Sequence, residues 1–107
     1  MNLQIELKSG VMTALIGGEL DHHTAGHLRE QIDSTAEKVR PKLLRMDFTD
    51  VPFMDSSGIG LILGRVRKLS GWGGRVALAG LSPQLRKMAE LSGIASLAVI
   101  EKKGKEA

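Results

Sequence analysis

The chain has 107 residues, 42% hydrophobic and 25% charged, the composition of one ordinary globular domain with a modest core. Cysteine is absent, which excludes disulfides, thiol catalysis and thiolate metal sites, and no window approaches the roughly 18 consecutive apolar residues of a membrane span. The net charge of +3 is mild, the basic residues are dispersed and the aromatics are only Phe48, Phe53 and Trp72, which argues against direct nucleic-acid binding on a stacking platform.

The opening MNLQIELKSG lacks the basic-then-apolar layout of a secretory signal, so a cytoplasmic location without membrane contact is expected. Here Leu3, Ile5 and Leu7 alternate with Gln4 and Glu6 ahead of Ser9-Gly10 and VMTALIGGEL, which predicts two strands joined by a tight turn. From Thr24 the period changes: Ala25, Leu28, Ile32, Ala36 and Val39 recur at helical spacing, giving an amphipathic helix that ends before Pro41, with Asp21 placed to cap it. KLLRMDF puts Leu44, Met46 and Phe48 on one strand face, and a loop through Asp50 and Pro52 follows. A second helix is predicted from about Ser57, with Ile59, Ile62, Leu63, Val66 and Leu69 inward and Leu61, Arg65 and Lys68 on its outer side.

RVALAG is a nearly continuous apolar run of the kind expected for a strand covered on both faces. The third helix has clear boundary signals, with Ser82 as N-cap, Pro83 at the first helical position, Leu85, Met88, Ala89 and Leu91 inward and Gly93 as its stop. SLAVI reads as a last short strand before a charged tail, residues 101–107, expected to be disordered. Strand-helix alternation implies right-handed crossovers. The expectation is therefore an α/β fold, one domain over residues 1–100, with a mixed, mostly parallel sheet of about five strands, an antiparallel N-terminal hairpin and three to four helices.

The stretch FTDVPFMDSSGIGLILGR sets Asp55, Ser56 and Ser57 where a loop meets the second helix. Backbone N–H groups there lack intrahelical partners and the helix dipole favours negative charge. Three readings compete for this place. In the plainest, a serine caps the helix while the glycines allow close packing. A phosphate-binding loop is disfavoured because Gly58, Gly60 and Gly64 are spaced one residue too long for the dinucleotide fingerprint and no Gly-Lys-Ser/Thr follows. A nucleophilic serine needs G-x-S-x-G, which fails at Met54 when centred on Ser56 and on both sides when centred on Ser57. In GELDHHTAGHLRE, His23 and His27 are four apart beside Asp21, a spacing that could hold a metal, but no third distant ligand can be named and a solvated helix N-terminus fits better.

Taken together, GELDHHTAGHLRE and FMDSSGIGLILGR resemble the anti-sigma factor antagonists of the sulphate transporter and anti-sigma factor antagonist (STAS) superfamily, and SPQLRKMAELSG resembles their third helix. The resemblance covers nearly the whole chain, with Ile59 where leucine is common. It implies a non-enzymatic phosphoswitch without cofactor. The serine after the aspartate of D-S-S-G, here Ser56, would be phosphorylated by a partner that is both anti-sigma factor and serine kinase, and a serine phosphatase would reset it. The unmodified form would bind the anti-sigma factor and release the sigma factor; the phosphorylated form would not bind. Asp55, Ser57 and Gly58 match the surrounding motif and Asp21 the acidic loop position, so these four, with Leu61 on the expected outer face, are the candidate partner contacts. The alternative is a STAS-like docking module in a larger signalling assembly, with Ser56 serving only the helix.

Overall fold

The alternating segments at the start of the chain form a hairpin, β1 (Asn2–Lys8) antiparallel to β2 (Val11–Gly17), in a computed structural model that describes residues 2–101. Its two-residue turn holds Ser9 at φ 51° and Gly10 at φ 81°, the left-handed pair that matches the twist of the flanking strands. The remaining elements are α1 (His22–Val39), β3 (Leu43–Asp50), α2 (Ser56–Ser70), β4 (Arg75–Ala79), α3 (Pro83–Leu91), a 3-10 turn (Ile94–Ser96) and β5 (Val99–Ile100). The sheet order is β1-β2-β3-β4-β5, with every pair after the hairpin parallel.

Because β2 to β5 lie in sequential order, right-handed crossovers put all three helices on one face of the sheet. That face carries Met12, Ala14, Leu44, Met46, Phe48, Val76 and Leu78, which join Leu28, Ile32, Ala36, Ile62, Leu69, Leu85 and Ala89 from the helices in one core. Phe48 is 1% exposed, and burial of such a side chain is worth about 1.5–3 kcal/mol. The opposite face carries polar or half-buried residues, among them Thr13, Arg45 and Asp47.

Several expectations need correction. β4 is buried on both faces, as its apolar run suggested, but among the described residues no second layer covers it. Ala77 pairs in register with Arg45 on one side and Val99 on the other, and the Arg45–Glu101 ion pair, Nε to Oε2 at 2.8 Å, spans the open face between β3 and the residue after β5. Glu101 therefore belongs to the sheet edge, its N–H donating to the Leu78 carbonyl; the rest of the expected tail, residues 102–107, lies outside the described residues. The predicted strand SLAVI is reduced to Val99–Ile100, because Ser96 closes the 3-10 turn. Leu91 is 79% exposed rather than inward, since it falls off the stripe formed by Leu85 and Ala89. Val39, in the last turn of α1, is likewise exposed. No helix of the described residues is long and apolar enough to cross a membrane.

Candidate functional site

Two loops at the carboxyl ends of β2 and β3 are stitched together. The Leu20 N–H donates to the Phe53 carbonyl at 3.0 Å, the Asp55 N–H donates to the Leu20 carbonyl at 3.1 Å, and Leu20 and Met54 form a parallel bridge. Both Leu20 and Met54 are buried, so the stitch is anchored in the core. Its consequence is that α1 and α2 begin side by side, and each begins with an aspartate.

Asp21 caps α1. Its Oδ1 accepts from the His23 and Thr24 N–H groups at 3.0 and 3.1 Å, while the Thr24 hydroxyl oxygen accepts from the Asp21 N–H at 3.0 Å, which completes a reciprocal capping box. The Thr24 amide above all holds the Asp21 carboxyl below its ordinary range. Such a depressed carboxyl stabilises the fold above the ordinary aspartate pKa, and that contribution is lost as pH falls through its folded value. Asp21→Asn, which keeps a good cap, is therefore expected to lose stability less steeply on acidification than the parent below the ordinary aspartate range; thermal midpoints across an acid pH series check this.

Asp55 caps α2, with its Oδ1 accepting from the Ser57 N–H at 2.8 Å. This corrects the expectation of a serine cap: aspartate one position earlier has the extended backbone, φ −97° and ψ −169°, from which a short carboxylate reaches the second amide of the helix. Ser56 is thereby the first helical residue, exposed, with its hydroxyl outside the capping bond. Ser57 and Asp55 are half-buried. Phe53, three residues before Ser56, is 51% exposed on a loop pinned by its own carbonyl. It was not among the candidate contacts, because an aromatic residue in a loop carries no helical or strand period that would mark it as exposed.

Gly58 is buried. A Cβ at this position would overlap Met54 Cγ and Sδ and come within 3.2 Å of Leu20 Cδ2, so the glycine is what lets α2 start directly on the stitched loops. Gly58→Ala is expected to destabilise the protein by about 1–3 kcal/mol despite alanine's better helix propensity, read as a lower midpoint in urea denaturation.

Leu61 does not lie on the outer side of α2. It is 5% exposed, as is Arg65, and the buried stripe of the helix is Gly58, Leu61, Ile62, Arg65 and Leu69, while Ile59, Leu63 and Val66 are only half-buried. The helix is rolled toward α1, where Asp33 Oδ1 sits 2.9 Å from Arg65 Nε and Glu37 pairs with Lys68. A charged residue can be on the inner stripe because its counter-charge comes from another helix, and Leu61 is carried inward with it. Leu61 is consequently a core residue, not an exposed contact.

The histidines stand apart from any such cluster: His27 Nε2 is 3.3 Å from Gln31 Nε2, the Asp21 carboxylate is occupied by its cap, and among the described residues no group of three or more His, Cys, Asp or Glu is placed to hold a metal ion.

A sequence model of the STAS domain matches residues 2–107. The chain is 36% identical over 96 residues to the anti-sigma F factor antagonist of Paenibacillus polymyxa, covering 88% of this chain and 82% of that protein. Among solved structures, it is similar to the anti-sigma factor antagonist SpoIIAA in its unphosphorylated form, at 30% identity and a TM-score of 0.76, covering 98% of this chain and 92% of that one. It is also similar to the Bacillus cell fate determinant SpoIIAA in the phosphorylated form, at 32% identity and a TM-score of 0.74, covering 94% and 92%.

Proposed function

Because the chain belongs to the STAS domain family, and resembles members named as anti-sigma factor antagonists over most of their length, we propose that it is a non-catalytic, cytoplasmic anti-sigma factor antagonist switched by phosphorylation of Ser56. Unmodified, it binds an anti-sigma factor that is also a serine kinase, and the sigma factor is released. Phosphorylated, it does not bind, and a serine phosphatase restores it. The observation that carries this reading is the position of Ser56: exposed, first in α2, with Asp55 doing the capping. A kinase can reach that hydroxyl without dismantling the helix. Asp21, Asp55 and Ser57 surround it on the paired helix starts and form the contact surface with the partner.

The physical chemistry suits a switch. A phosphoserine carries about −1.5 to −2 charges at pH 7, and the N-terminus of a helix is where such charge is best tolerated by the fold. The test is intact mass with site mapping after incubation with ATP and the anti-sigma serine kinase encoded by the same genome. One phosphoryl group on Ser56 is expected. No incorporation, with the kinase active on another substrate, overturns the switch and leaves a STAS docking module in which Ser56 is only the first residue of a helix.

A further inference from the structure

Beside Ser56, the amino-terminal halves of α1 and α2 part to leave an open groove of about 620 Å³. Leu61, otherwise buried, shows one edge at its floor, flanked by small residues: Gly26 on α1 and Gly60 and Gly64 on α2, and a Cβ built at any of the three glycines would meet nothing within 4 Å. Its polar lining is cationic or neutral, with Arg29 and His22 from α1 and Arg65 from α2. The Arg65 side chain is 6% exposed and its Nη1 is buried with no hydrogen-bond partner among the described residues. Among the described residues the one carboxylate paired with it, Asp33, approaches Nε at 2.9 Å without the alignment of a hydrogen bond. Burial lowers the Arg65 pKa, Asp33 opposes that shift, and nearby Arg29 adds to it.

We infer that this groove receives an acidic side chain of the anti-sigma partner, whose carboxylate pairs with Arg65 and Arg29 while the flanking glycines let the partner's backbone approach closely. A carboxylate matches the guanidinium geometry of the groove-lining edges of Arg65 and Arg29 and adds a counter-charge beside the one that Asp33 supplies. Ser57 lines the same groove, so the site is continuous with the surface around Ser56. The inference rests on the antagonist reading and adds to it a second anchor, set back from the phosphorylation site, that supplies attraction where Ser56 supplies control.

The test titrates the isotopically labelled full-length protein with the purified anti-sigma factor from the same genome, following backbone amides by NMR, with the affinities of Arg29→Gln and Gly60→Glu measured alongside. Gly60→Glu places a carboxylate in open space and removes a helix glycine, so folding is not challenged while the groove is filled and its charge opposed. The amides of Gly26, Gly60 and Gly64 are expected to shift together with those around Ser56, and each variant to lose about tenfold or more in affinity. Shifts confined to the Ser56 end, with both variants binding as the parent does, overturn the groove. Shifts of the same glycines with inorganic phosphate but not with the partner also overturn it, leaving a small-anion site. Failure of the unmodified parent protein to bind at all removes the antagonist reading, and the groove's occupant with it.

Discussion

Phosphorylation of Ser56 is expected to weaken the complex with the anti-sigma factor by about thirty-fold to several thousand-fold, a loss of about 2–5 kcal/mol, with no change in helix content. The modification takes the net charge from +3 to roughly +1 and concentrates the change in one place, next to the Asp55 carboxylate and across the stitched loops from Asp21. Any partner group that docks there against two aspartates meets a third, stronger anion, and burying a dianion without a prepared counter-charge is costly. Within the protein the same charge sits at the positive end of the α2 dipole, so the helix is not penalised. The effect thus falls on the interface and spares the fold. Calorimetric titration of the two forms, with far-ultraviolet circular dichroism on each, separates the possibilities: equal affinities refute the switch, and a loss of helical signal on phosphorylation refutes the claim that it acts at the surface.

Much of this architecture is written in local patterns that one chain can reveal. The hairpin follows from alternation plus Ser9-Gly10, α1 from its three- and four-residue spacing, and α3 from Ser82-Pro83, whose hydroxyl oxygen accepts from the Leu85 N–H at 3.1 Å. The errors share a cause, which is that the deciding partner lies far away in the sequence. Apolar spacing alone puts Ile59, Ile62, Leu63, Val66 and Leu69 inward on α2, and only Ile62 and Leu69 are on the buried stripe, because Asp33, thirty-two residues before Arg65, makes an inward arginine tolerable. The same spacing puts Leu61 outward, where the structure buries it. Ala77 is covered by an ion pair between residues 45 and 101, not by a helix, and no local pattern contains that fact. The choice of Asp55 over Ser56 or Ser57 as cap was a matter of one position among three competent residues, decided by the bridge from Leu20 to Met54 that sets the loop's backbone. The candidate site was legible as a place; the groove beside it was not, because it exists only where two helices meet.

Asp33 and Arg65 give the second large effect, and its asymmetry links stability to function. Asp33→Ala is expected to destabilise the protein by about 2–4 kcal/mol, because it strands a guanidinium whose side chain is 6% exposed and whose Nη1 already has no hydrogen-bond partner. Arg65→Met removes the opposite member and fills similar volume, but leaves the Asp33 carboxylate, whose Oδ1 is buried and whose side chain is 20% exposed overall, so it is expected to cost less, about 0–1 kcal/mol. Midpoints of urea denaturation for the parent, both single variants and the double variant check this, with the double variant recovering most of the loss in Asp33→Ala. Equal destabilisation by the two single changes would mean that the pair is a conventional stabilising bridge. The expected inequality means instead that the arginine on the inner stripe of α2 contributes little to the fold, which is intelligible if its exposed edge serves a ligand. Arg65→Met should then be nearly as stable as the parent and the weaker partner, and a variant that kept full affinity for the anti-sigma factor would break that connection.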